Sequence, residues 1–379
     1  MNFFSLNSVQ RGALGLALLS LAGFSPVWGA SFSDQQYWLP GEAERLAGAD
    51  RYETATKVSE FEYGAAGIAS RILVASGENF PDALVAGPLA SMADIPFVLT
   101  AKNELPEATR RHIKWVFDGI DDAESDIWLI GGPNAVNETV VQQLRAIHPN
   151  LDVERIQGID RVETASNIAW LMQGLRGAVP NGMFIVDKSS YPDALVASAP
   201  AGDPTVEPGR MPIFLTNGEA TTLDPLVRSN LETYLKAGMQ KIYIVGGPAA
   251  VNPLVQVEIQ DLITSTGSTA QLQFIGGYNR YKTAFEVASQ FYGNLNTLFS
   301  VGLASGENFP DALVGASDTS RVAATQGEQA FLLTRPEALP SETEEFLKTY
   351  ESVLKSAVIY GGERAVSATV EQQLESYLQ

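Results

Sequence analysis

Short apolar blocks alternate along this chain with longer stretches whose apolar positions recur every three or four residues. In the N-terminal third, RILVAS (71–76) reads as a strand and Asn79 to about Ala93 as a helix. IPFVLT (95–100) follows as a strand, Pro106 to about Phe117 as a helix, DIWLI (126–130) as a strand and Asn137 to about Ile147 as a helix. Short apolar strands separated by amphipathic helices predict a parallel sheet covered on both faces, an α/β sandwich.

The pattern is written three times. ASGENFPDALV at 75–85 returns letter for letter at 304–314, with a worn copy, VDKSSYPDALVA, between them. GADRYETA at 48–55 recurs as GIDRVETA at 158–165 and GYNRYKTA at 277–284. IWLIGGPNAVN, ending at Asn137, recurs as IYIVGGPAAVN, ending at Asn252, and as AVIYGGERAVS, ending at Ser367. Arg51 to Asp82 spans 31 positions, Arg161 to Asp193 spans 32 and Arg280 to Asp311 spans 31, so these are homologous repeats of about 115 residues. A repeat of that size can hold its own core.

A strand candidate precedes each Arg landmark: ERLAG at 44–48, ERIQG at 154–158 and QFIGG at 273–277. The last copy ends on its helix with no strand after it. If each such strand completes the sheet of the preceding copy, the first must close on the third. The expected fold class is α/β, with three tandem parallel-sheet α/β/α sandwich modules in a pseudo-threefold ring. The expected modules are residues 31–152, 153–271 and 272–379. The middle one is divergent: it has DKSSY in place of SGENF, Val162 in place of Tyr52, and an added GDPTVEPGR at 202–210.

The first thirty residues change the picture of where the chain works. They carry Arg11 as their one formal side-chain charge, an apolar run from Gly12 to about Phe24, then Pro26 and small residues, which predicts a secretory signal peptide cleaved after Gly29 or Ala30. The apolar run is shorter than the roughly 20 residues a spanning helix needs, and nothing later resembles a membrane span, so a secreted chain is expected. Without residues 1–30 the formal charge is −20, from 24 basic and 44 acidic side chains, and nucleic acid is excluded as a partner because phosphate must be met by Lys and Arg. There is no cysteine, which removes disulfides, thiolate catalysis and thiolate metal sites.

Many of the repeated polar residues have a local reason. Asn79 and Asn308 stand where helices start, Pro follows two positions on, and Asp82 and Asp311 fall at the third helical position, where a carboxylate returns a bond to the cap. Ser190 with Asp193 repeats the arrangement. Asp50 with Glu53 and Asp160 with Glu163 read as capping boxes, while Asn279 keeps a cap and Lys282 loses the return carboxylate. Asn137, Asn252 and Ser367 are caps as well. The pairs Gly131/Gly132, Gly246/Gly247 and Gly361/Gly362 allow tight strand-to-helix turns.

Capping constrains one or two letters, and whole strings recur. The loops lie beyond the carboxyl ends of parallel strands, where open α/β sheets bind ligands next to helix N-termini. Arg51, Arg161 and Arg280 recur with them. They offer either a fork for carboxylate or phosphate, or an interdomain salt bridge to the repeated aspartates.

No catalytic signature is spelled. His112 and His148 have no counterparts in the other copies and are expected at the solvated surface. GxSxG, HExxH and GxxxxGKS are absent, as is an EF-hand loop, and no cofactor or metal motif stands out. A site written three times suits multivalent adhesion, in which linked weak sites gain avidity.

The ordered combination GxDRYETA, SGENFPDAL, IPFVLT and IGGPNAV, in three tandem copies from about residue 44 to the end, resembles the cell wall-binding repeat type 2 family of bacterial surface proteins. The resemblance implies non-covalent attachment to a cell-wall or envelope polymer, a polysaccharide or a teichoic-type polymer, by three modules in a triangle. It also implies a location at the cell wall or cell surface, a single chain with internal pseudo-threefold symmetry, and no enzymatic activity or cofactor. With the recurrence of the loops, it makes Arg51, Asn79, Asp82, Arg161, Asp193, Arg280, Asn308 and Asp311 the candidate ligand-binding residues. Two departures from the family pattern stand out: the repeats fill the expected mature chain with no separate functional domain, and the charge of −20 opposes an anionic polymer. The competing expectations are a secreted carboxylate-dependent wall hydrolase and a structural surface-layer protein.

Overall fold

A computed structural model describes residues 40–64, 69–120, 125–148, 151–247, 250–293, 298–326 and 328–379. The signal peptide expected at 1–30 lies outside them.

Twelve strands among these residues form three four-stranded, all-parallel sheets. The first module supplies β2 (Arg71–Ser76), β3 (Phe97–Thr100) and β4 (Asp126–Ile130), and is completed by β5 (Asp152–Ile156) in the order β3-β2-β4-β5. The second repeats the order as β7-β6-β8-β9, with β6 (Gly182–Asp187), β7 (Ile213–Thr216), β8 (Lys241–Val245) and β9 (Gln271–Ile275). The third contains β10 (Leu298–Ser305), β11 (Glu328–Thr334) and β12 (Ser356–Tyr360). Its fourth strand is β1 (Ala43–Leu46), from the other end of the described chain.

The strand before each Arg landmark does complete the sheet of the preceding module, and the ring closes. Ala43 pairs with Ala357 and Leu46 with Tyr360, as Asp126 pairs with Asp152 and Lys241 with Gln271 at the other two seams. At the closing seam Arg45 locks the register: its Nη1 donates to the carbonyls of Gly361 (2.8 Å) and Val366 (2.9 Å), and its Nη2 pairs with Glu371 at 2.8 Å.

The strands are apolar throughout because both faces are covered. Ile72, Leu73, Val74, Ile127, Trp128 and Leu129 are fully buried, each such side chain stabilising the fold by roughly 1.5–3 kcal/mol. The modules do not keep separate cores. One apolar cluster runs from Leu73 and Leu84 through Leu195 and Phe214 to Leu313 and Phe331, with a second cluster confined to one face of the first sheet around Ile72 and Ile127. The apolar interiors of the three modules are therefore continuous.

The physical reason lies at the centre of the ring. There the helices Gly87–Ala93, Tyr191–Gly202 and Phe309–Gln326 approach closely through small residues. Ser91 Oγ donates to the Gly202 carbonyl at 3.0 Å and Ser320 Oγ to that of Ala199 at 2.8 Å, so hydroxyls are satisfied across the module boundaries.

A second polar cluster ties the third module to the first. Tyr360 Oη donates to buried Asp318 Oδ2 at 2.5 Å, and the Glu62 carboxyl lies beside that of Asp318. Arg321 lies 4.2 Å over the Tyr63 ring, donates to the Glu62 carbonyl at 2.8 Å and meets Asp94 at 2.9 Å. Burial raises both the Glu62 and Asp318 carboxyls, Asp318 to about 6.

Two local expectations change. The helix expected from Asn79 to Ala93 is broken into Phe80–Ala83 and Gly87–Ala93, because Pro88 restarts it within its first turn. His112, expected at the surface, is 3% exposed. It joins Thr109, Ile113 and Val116 on the buried stripe of its helix, with Nε2 2.9 Å from Ser59 Oγ. Among the described residues no helix is long and apolar enough to cross a membrane.

Candidate functional site: the junctions between modules

Each module begins with a capped helix. Asp50 accepts from the Tyr52 and Glu53 amides at 2.9 Å, Asp160 from Val162 and Glu163 at 2.9 and 3.0 Å, and Asn279 from Lys282 at 2.8 Å. The return carboxylates overshoot the cap: Glu53 accepts from the Ala49 amide and Glu163 from that of Ile159. This geometry fixes the first helical residue of each, Arg51, Arg161 or Arg280, pointing back over its own sheet. Arg51 Nη1 donates to the Gly77 carbonyl at 2.5 Å, Arg161 to that of Lys188 at 2.8 Å, and Arg280 to that of Gly306. These carbonyls occupy one equivalent position, in the loop after the first central strand of each sheet.

Asp82, Asp193 and Asp311 do not mainly serve their own helix starts. Each faces the next module around the ring. Asp82 is held by Thr164, by the charge of Arg161 and by the Gly132 amide; Asp193 by Ser190, Thr283 and Arg280; Asp311 by Arg51 and Thr54. Burial raises all three carboxyls, and these partners oppose the rise. The same threonines accept from the amides of Gly48 (3.1 Å), Gly158 (3.0 Å) and Gly277 (3.2 Å). The floor under each aspartate is a glycine in the left-handed region: Gly131 (φ 99°), Gly246 (φ 140°) and Gly361 (φ 112°). A β-carbon there would lie 2.9, 3.1 or 2.6 Å from the aspartate Oδ2.

Of the eight candidate residues, Arg51, Asp82, Arg161, Asp193, Arg280 and Asp311 thus meet at three junctions, each drawn from two modules; the arginine charge acts on the facing aspartate, and among the described residues the two make no direct ion pair. Asn79 and Asn308 stay exposed at the loop tips. Ser190, expected as a cap, makes no bond to a helix amide and donates instead to Asp193 at 2.5 Å. Sequence reasoning missed Thr54, Thr164 and Thr283, although a threonine three positions after the arginine is common to all three motif copies.

One junction opens into a cleft of about 360 Å³, between the second and third modules, lined in part by Ser190, Tyr191, Gly247, Tyr278, Asn279 and Arg280. Tyr191 Oη accepts from Arg280 Nη1 at 2.8 Å, and the guanidinium sits 5.4 Å from the Tyr191 ring centroid. Among the described residues no group of three or more His, Cys, Asp or Glu side chains is placed to hold a metal ion.

The protein is thus a ring of three parallel-sheet modules, joined by strand exchange and by repeated arginine–aspartate junctions. Comparison with known proteins gives it a family. The model of Cell wall binding domain 2 (CWB2) matches residues 45–141, 155–256 and 275–371, and the chain belongs to that family. Among curated relatives, the N-acetylmuramoyl-L-alanine amidase LytC of Bacillus subtilis is 25% identical over 333 residues, covering 88% of this chain and 58% of that protein. The Amidase enhancer of Bacillus subtilis is 25% identical over 338 residues, covering 88% of this chain and 41% of its own length. The chain thus spans about half the length of these relatives. Among solved structures, Cwp6 from Clostridium difficile superimposes with a TM-score of 0.75 at 22% identity, over 99% of this chain and 54% of that one. Cwp8 from the same organism gives 0.72 at 24%, over 89% and 51%. These likenesses establish the fold, and the three tandem cell wall-binding repeats associate the chain with the cell surface.

Proposed function

We propose that this chain is a secreted, non-catalytic protein that grips a cell-wall polymer, a polysaccharide or a teichoic-type chain, without covalent attachment. The observation that carries the reading is the threefold repetition of one junction at the carboxyl ends of parallel strands, in a chain of the CWB2 family. Three like sites on one rigid ring engage a repetitive polymer several times, and linked weak contacts gain avidity. The arginine–aspartate pairs set the shape of each junction, while exposed Asn79, Asn308 and the neighbouring loop tips meet the polymer. Closure of the ring within one chain supports a monomer. The apolar run Gly12–Phe24 supports export. Residues 31–152, 153–271 and 272–379 are the proposed repeats.

Sedimentation of the purified protein, residues 31–379, with cell walls isolated from the organism that encodes it tests this. The protein pellets with the walls, is released intact by denaturant, and liberates no soluble wall fragments. Release of fragments would establish a hydrolase instead, and failure to pellet would leave a structural role.

A further inference from the structure

We propose that the cleft between the second and third modules is a binding site for an uncharged saccharide, with the ring of Tyr278 as its stacking platform. The inference rests on the wall-binding reading and gives one of its three junctions a ligand class.

The junctions are not chemically equal. The position just before the helix cap is Ala49 at the closing junction, Ile159 at the first and Tyr278 at the second. Tyr278 is 77% exposed, an unusual state for so large a ring, and it lines the cleft. Its hydroxyl lies beside Glu342, which raises it, and Glu342 accepts from Asn279 Nδ2 at 2.8 Å. Against its own desolvation, Asn279, a backbone amide, Tyr278 and Ser341 draw Glu342 down to about 2. The ring lines the cleft with its faces open to solvent, where a sugar can stack on it.

The loop beside it is built differently from that of the first junction. At the first junction Gln157 reaches across the loop, its Oε1 lying 3.2 Å from where a β-carbon on Gly132 would sit. The corresponding residue at the second junction is Gly276, and there the Gly277 carbonyl rather than a side chain covers Gly247, 2.5 Å from where a β-carbon would sit. Only here, among the three junctions, is Phe80 or Phe309 replaced by a tyrosine, Tyr191, which brings a hydroxyl to the cleft wall. An apolar face flanked by a few hydroxyl and amide groups is how concave sites orient a small polar ligand.

The charge argues for a neutral one. Arg280 is the one cation lining the cleft among the described residues, and its Nη1 is engaged by Tyr191 Oη and the Gly306 carbonyl. Asp193 forms the floor, ionised Glu342 stands behind the platform, and the chain carries −19 overall. A polyanion would approach against this field, whereas an uncharged sugar is indifferent to it.

The test uses oligosaccharides released from purified walls and split by anion exchange into uncharged and anionic pools, titrated calorimetrically into residues 31–379 at low and high salt. The uncharged pool binds with no salt dependence. Tyr278→Ala weakens it about 10-fold, or ~1.4 kcal/mol, Tyr278→Phe keeps most of it, and Val257→Ala, on the outer helix Pro253–Ser265, leaves it unchanged. Binding of the anionic pool alone, falling with salt, overturns the proposal. So does uncharged-pool binding that is indifferent to Tyr278→Ala. Retention on intact walls with no uncharged-pool binding overturns this inference alone, and loss of both overturns the wall-binding reading beneath it.

Discussion

A β-carbon on Gly77 would lie 2.9 Å from Cε1 of Tyr52, and one on Gly306 would lie at the same distance from Cε1 of Tyr281. The middle module has neither partner: Val162 replaces the tyrosine and Lys188 replaces the glycine. Two departures that look independent in the sequence are one packing event. The arginine donates to the carbonyl at this loop position in all three modules, and the tyrosine ring beside it leaves room for hydrogen only.

Gly77→Ala therefore costs about 1–3 kcal/mol, the usual penalty for an overpacked site. Adding Tyr52→Val recovers most of the loss. Urea unfolding of the single and double variants measures both, and equal stability of wild type and Gly77→Ala would contradict the packing account.

Ring closure rests on a strand of four residues, β1, and Arg45 is its main polar anchor. Arg45→Ala leaves the Gly361 and Val366 carbonyls without that donor and Glu371 without its partner. A loss of about 2–4 kcal/mol is expected, since hydrogen bonds to charged groups contribute ~1.5–3 kcal/mol each. The change concentrates at one seam, so amide exchange in β1 and β12 quickens before that in β6 or β8. Uniform quickening across all three sheets would speak against a distinct closing seam.

Acidification strengthens the fold through its buried carboxyls, Asp318 first among them. Asp82, Asp193, Asp203, Asp311, Glu62 and Asp318 are all raised by burial, Asp318 to about 6. A carboxyl raised in the folded state binds more protons folded than unfolded. Its contribution is complete below the unfolded value near 4 and is lost as pH rises through the folded value. Glu60 and Glu342, both drawn to about 2, act oppositely but between pH ~4 and ~2, outside this window. The melting temperature accordingly rises from pH 7 to pH 5. Asp318→Asn flattens the rise, because an amide keeps the bond to Tyr360 without titrating. A melting temperature that falls over this interval would contradict the assignment.

The topology was legible because strand exchange leaves a mark on the sequence: a strand before each arginine and none after the last helix. The helix caps at Asp50, Asp160, Asn137 and Asn252 were legible for the same local reason. Asp82, Asp193 and Asp311 were harder, since a carboxylate at the third helical position satisfies a capping pattern whichever way it turns. Only the neighbouring module's threonine and the glycine floor decide the direction. His112 reads as a lone polar residue in the sequence, although its spacing from Thr109, Ile113 and Val116 marks the buried face. The shared core was invisible because alanine, serine and glycine at the ring centre carry no apolar signature. Their meaning is proximity, which only the assembled modules reveal.

Hydrogen–deuterium exchange of residues 31–379, with and without wall polymer solubilised from the same organism, addresses the central claim most directly. Protection confined to the loop tips 76–79, 187–190 and 305–308 and the facing helix starts 49–51, 159–161 and 278–280 is the predicted result. Protection on the outer helices Pro225–Lys236 and Pro253–Ser265, with the junction loops unchanged, would contradict it.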